Sequence, residues 1–63
     1  MKISSKNLII GLFYLYLIDE NVFIYVEDGQ IHVICEKKIK AAEAKRLMAL
    51  GFERENETFV AWV

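Results

Sequence analysis

Apolar and polar positions alternate most sharply between Val22 and Ile34, and do not alternate at all between Leu8 and Ile18. Val22-Phe23-Ile24-Tyr25-Val26-Glu27 puts valine and isoleucine on one side of an extended chain, with Phe23, Tyr25 and Glu27 on the other. Asp28-Gly29 follows, a pair that accepts the left-handed conformations of a two-residue hairpin turn. A turn there sets Glu27 against Gln30, Val26 against Ile31, Tyr25 against His32, Ile24 against Val33 and Phe23 against Ile34. Apolar pairs then fall on one face and amphipathic pairs on the other, so turn chemistry and patterning require the same register.

Leu8–Ile18 is a run of eleven residues without a charge. It has neither the alternation of a half-buried strand nor the polar face of a surface helix, so both its sides need cover. Ser4, Ser5 and Asn7 can each cap a helix starting here. Gly11 and the aromatic and β-branched residues Ile9, Ile10, Phe13, Tyr14, Tyr16 and Ile18 favour a buried strand instead. On that reading Asp19-Glu20-Asn21 is a three-residue hairpin turn, with Asn21 in the left-handed conformation.

From about Ile39 to Leu50 the period is helical. Ala41, Ala44, Leu47, Met48 and Leu50 share a broad face, with Lys38, Lys45 and Arg46 opposite. Gly51 stands where a helix C-cap glycine belongs, and Phe52 can fold back on the last turn. Phe52–Val63 reads as a second hairpin turning at Glu55-Asn56, with Arg54 beside Glu57 and Phe52 opposite Phe59. Phe59, Ala61 and Val63 then share one face, and Thr58, Val60 and Trp62 the other. The expected fold is a single α+β domain over residues 1–63. It is an antiparallel sheet of about five strands in the order β-β-β-α-β-β, with one helix on one face and the first three strands as a meander.

Composition adds a constraint. In a chain of 63 residues, 56% are apolar, more than one small two-layer domain encloses. A homodimer through the sheet face bearing Phe23, Tyr25, His32 and Ile34 supplies the missing cover, with edge-to-edge pairing through the chain ends as the alternative. The net charge of −1 argues against a protein that works mainly by neutralising phosphates, and equally against an acidic DNA mimic. One cysteine, Cys35, allows no internal disulfide, and a single cysteine with a single histidine supplies too few ligands for a structural zinc site within one chain; no cofactor is expected. Lys2 and Lys6 precede the apolar run as in a signal peptide. No small-residue cleavage pattern follows, however, and a bilayer span needs about 20 residues. A cytoplasmic protein without a membrane partner is the expectation.

Little in the chain suggests catalysis. The acidic groups Asp19/Glu20, Glu27/Asp28 and Glu53/Glu55/Glu57 lie in or beside turns, where acids are commonly solvated. His32 beside Tyr25 is the one pairing that resembles a catalytic couple, and Cys35 falls in the apolar alternation of its strand. Glycine-rich phosphate loops, nucleophile elbows and HExxH motifs are absent from the sequence. The expectation is therefore a binding protein and not an enzyme. Tyr14, Tyr16, Phe23, Tyr25, His32 and Trp62 are the candidate protein-binding residues, because amphipathic rings anchor in pockets while tolerating water. A second class uses Lys37, Lys38, Lys40, Lys45 and Arg46, which against Glu36 and Glu43 leave +3. Such a basic helix beside exposed rings can hold single-stranded nucleic acid by charge and stacking, the less favoured reading.

Lys40–Val63 joins a lysine- and alanine-rich helix to Leu50-Gly51-Phe52, an acidic turn and Phe59-Val60-Ala61-Trp62-Val63. This half of the chain resembles the ends of small phage and prophage proteins, of the type of the anti-CRISPR inhibitors. The resemblance implies a compact α+β protein that blocks a host nuclease complex by binding it, in the host cytoplasm. Those inhibitors share no motif, so it assigns no residue a role.

Overall fold

The computed structural model describes all 63 residues, Met1–Val63. In chain order the elements are α1 (Ser5–Ile18), β1 (Phe23–Glu27), β2 (Gln30–Ile34), α2 (Ala41–Leu50), β3 (Glu53–Glu55) and β4 (Thr58–Trp62). The architecture is α+β, with two helices and a four-stranded antiparallel sheet ordered β1-β2-β4-β3. β2 and β3 both run antiparallel to β4. The β2–α2–β3 connection is thus a crossover between parallel strands, and β4 fills the place between them.

The β1–β2 hairpin has the register its turn demands, from Glu27↔Gln30 to Phe23↔Ile34. Asp28 (φ 53°) and Gly29 (φ 75°) both take the left-handed conformation of its two-residue turn. α2 ends at Gly51 (φ 121°), whose N–H donates back to Met48 and Leu47 carbonyls. Phe52 returns against the helix by an N–H···O bond to Leu47 at 3.1 Å.

Four expectations need correction. Leu8–Ile18 is not a strand but most of α1, which reduces the strands from five to four and doubles the helices. Ser4 caps it, accepting a hydrogen bond from the Asn7 N–H at 3.1 Å. Asn7 in turn donates its side-chain N–H to the Leu50 carbonyl at 3.1 Å, tying the start of α1 to the end of α2. Asp19-Glu20-Asn21 therefore links a helix to a strand, and Asn21 is not left-handed. There is no three-strand meander, because its first member is α1 and β1 is left at the sheet edge with β2 as its one neighbour. The second hairpin turns one residue later than expected: Asn56 (φ 58°) opens the loop and Arg54 faces Phe59.

Both helices lie on the same face of the sheet. Leu15 of α1, Ala44 and Leu47 of α2, and Val33, Phe59 and Ala61 of the sheet form one buried cluster with Cys35, Ile39 and Phe52. Full burial of a side chain such as Leu15, Leu47 or Phe59 contributes roughly 1.5–3 kcal/mol each. α1 has 14 residues, and no helix is long and apolar enough to cross a membrane.

Candidate interaction surface

With both helices on one face, the other face of the sheet is left bare. Strand alternation and the observed register decide what it carries. One row across it reads Glu27, Gln30, Trp62; the next reads Tyr25, His32, Val60, Glu53; the third reads Phe23, Ile34, Thr58, Glu55. Phe23 and Tyr25 stand on the β1 edge, His32, Ile34, Val60 and Trp62 on the two inner strands, with Glu27 at one corner and Glu53 and Glu55 along the opposite edge. Val60 is buried yet lies outside the main core cluster, with His32, Glu53, Thr58 and Trp62 around it in the register.

The rings are organised among themselves. Tyr25 and His32 stack with centroids 4.6 Å apart and planes within 3° of parallel. Phe23 adjoins Tyr25 at 6.0 Å, tilted by 40°. Parallel stacking keeps the Tyr25 hydroxyl and the imidazole nitrogens in separate planes, and the two make no hydrogen bond. This is the geometry of a packing surface, not of a proton-transfer couple. Phe23 and Trp62 remain 61% and 42% exposed, which leaves them free to anchor in a partner.

Four of the six residues expected to bind protein thus share this face: Phe23, Tyr25, His32 and Trp62. Tyr14 and Tyr16 do not join them, because they belong to α1 on the opposite side of the sheet. Tyr14 is half-buried and accepts a hydrogen bond from the Arg46 guanidinium at 3.3 Å. Tyr16 lines an apolar groove between α1 and β1 with Ile9, Leu12, Phe13, Val22 and Ile24. The sequence pattern does not reveal this groove, since it reads Ile9, Leu12, Phe13 and Tyr16 as a strand covered on both sides and Val22 and Ile24 as the next strand.

The basic set also divides. Lys37, Lys38 and Lys40 precede α2 and only Lys45 and Arg46 lie within it, so no continuous basic helix runs from 37 to 46. All five are exposed, on segments away from the bare sheet face that holds Tyr25 and Trp62. The sheet therefore separates these charges from Tyr25 and Trp62, while Tyr14, bonded to Arg46, and Tyr16 stay on the helix side with them.

Two groups at the loops serve the fold. Asp19 is fully buried, unlike the solvated turn acid expected, and its carboxylate accepts the N–H groups of Asn21 (3.0 Å), Glu36 (2.7 Å) and Lys37 (3.0 Å). The Lys37 N–H does most to hold this carboxyl below the usual range. Burial opposes it, while the Asn21 and Glu36 N–H groups and the Lys37 charge assist. Cys35 is free and buried; burial pushes its thiol up, and the Asp19 charge adds to the shift. No three His, Cys, Asp or Glu side chains come together in a way that holds a metal ion. No protein-family model, curated protein or solved structure matches the chain, so the surface is read from its own residues.

Proposed function

We propose that the protein is a small non-enzymatic binding module that docks on another protein through the bare sheet face. The observation that carries this reading is the placement of Phe23, Tyr25, His32, Ile34 and Trp62 on the one sheet face that neither helix covers. Exposed, mutually packed rings lose little side-chain entropy on binding and bury large apolar areas. The acidic border of Glu27, Glu53 and Glu55 favours a partner whose apolar pocket is ringed by basic side chains. A nuclease complex has such basic surfaces, and blocking one is the job implied by the resemblance to small phage inhibitors. On this reading the chain acts as an inhibitor or adaptor in a host cell.

The test compares the unaltered protein with Tyr25→Asp and Trp62→Asp, both at exposed sites, in capture from host lysate and then in binding to the purified partner. The expected result is a partner lost about a hundredfold or more in both variants, at unchanged circular dichroism and melting. Equal binding by all three proteins would overturn the reading. So would retention of nucleic acid alone, with affinity falling steeply in salt and on neutralising Lys45 and Arg46.

A further inference from the structure

We propose that two copies of this chain join through their β1 edges into one continuous sheet, with the groove flank of α1 from each copy closing over the seam. The seam borders the proposed docking face and sets its Phe23 and Tyr25 beside the second copy, whereas Trp62 lies on β4 away from the seam; Trp62→Asp therefore separates failure of one idea from failure of the other.

The two edges of the sheet differ. β3 is three residues long and wholly charged, Glu53-Arg54-Glu55. Just beyond it, the outward carbonyl of Trp62 is already taken by the Ile3 N–H at 2.8 Å. That edge is blunted in two ways. β1 has neither protection: Phe23, Ile24, Tyr25 and Val26 are exposed and carry no charge, and no proline interrupts them.

Which backbone groups are free on β1 follows from the ladder. The Val63 N–H donates to the Gly29 carbonyl, and the Cys35 N–H to that of Glu57. Odd-numbered residues around β2 therefore turn their polar groups toward β4. Gln30, His32 and Ile34 turn theirs toward β1, where Glu27, Tyr25 and Phe23 reciprocate. Ile24 and Val26 consequently aim their N–H and C=O groups out of the sheet.

An antiparallel pairing with Tyr25 facing Tyr25 of the second copy uses every one of those groups. Ile24 of each copy exchanges both hydrogen bonds with Val26 of the other. Glu27 faces Phe23 of the second copy, so no acid meets an acid. The two-fold axis stands perpendicular to the sheet, which places both helix layers on the same side. Ile9, Phe13 and Tyr16 on the groove side of α1, with Ile24 and Val26 beneath, then meet their own counterparts across the axis. Phe13 and Val26 are 67% and 65% exposed in the single chain. These five residues expose on the order of 600 Å² per copy, so the pair reaches the ~1,000 Å² expected of a specific interface when most of that surface is buried at the seam. A lipid surface would also accept the apolar flank, but it offers nothing to the backbone groups of Ile24 and Val26. A second copy satisfies both requirements.

Sedimentation equilibrium from micromolar to sub-millimolar protein, with amide exchange measured by NMR, tests the proposal. Twice the 7.4 kDa chain mass is expected, with Ile24 and Val26 amides increasingly protected as concentration rises. Val26→Pro removes an outward N–H without touching the β2 ladder and weakens the dimer about tenfold or more. Phe13→Glu, on the helix, does the same should the proline disturb β1. Trp62→Asp leaves the dimer intact. A concentration-independent monomer, with or without affinity for phosphatidylcholine vesicles, overturns the proposal. A dimer that Trp62→Asp splits and Val26→Pro and Phe13→Glu leave alone also overturns it.

Discussion

The ring of Phe52 occupies the space that a side chain at Gly11 would need. A methyl group built on Gly11 lands too close to Phe52 Cε2 and Cζ for them to stay, with Cδ2 in tight contact at 3.1 Å. Phe52 is 2% exposed and belongs to the central cluster, so it has nowhere to retreat. Gly11→Ala should therefore destabilise by about 1–3 kcal/mol through overpacking, although alanine improves helix propensity by about 1 kcal/mol. Urea denaturation measures the net effect. Combining it with Phe52→Leu should recover part of the loss, and strict additivity of the two changes would refute the contact as the cause.

Gly29 is needed for a different reason. Nothing lies within 4 Å of a methyl group there, yet its φ is +75°. Gly29→Ala should cost about 1 kcal/mol from backbone strain alone, and Gly29→Asn clearly less, since asparagine accepts the left-handed region. Equal losses for the two variants in thermal melts would contradict this account.

Asp19 makes stability depend on acid. Its pKa in the folded chain lies below the unfolded value of about 3.9, so its contribution is fully present above that value and disappears as pH falls through the folded pKa. Asp19→Asn replaces one acceptor oxygen by an amide that itself donates, facing N–H groups that need acceptors. The variant should be clearly less stable at pH 7, and the gap to the unaltered protein should narrow as pH drops below roughly 4. A gap of constant size down to pH 2 would rule out the carboxylate as its source.

Cys35 should report on global unfolding. Its thiol is buried and shifted away from the reactive thiolate form. Labelling by a thiol reagent should be slow in the folded protein and should accelerate in step with unfolding as urea is added. Rapid labelling at full nativity would show that the β2–α2 loop opens independently of the core.

The sequence by itself determined the β1–β2 hairpin, the span and end of α2, and which side chains share each sheet face. These are local matters: Asp28-Gly29 permits few turns, period two fixes the pairing, and Gly51 stops a helix whose apolar face is already legible. Only the tertiary structure decided the state of Leu8–Ile18. A run with no charged residue carries no period, so Gly11 reads as favouring a strand until Phe52 explains its absent side chain. The same holds for Asp19, which reads as a solvated turn acid until Glu36 and Lys37 arrive from elsewhere in the chain to bond it. The second hairpin's register was set by Asn56 taking the left-handed position and by Arg54 settling over the Phe59 ring at 6.0 Å, with a bond to the Ile39 carbonyl. The candidate surface was half legible for this reason. Strand alternation gathered Phe23, Tyr25, His32 and Trp62, while Tyr14 and Tyr16 went to the far side with α1, because packing two helices on one face is a long-range choice that no local pattern records.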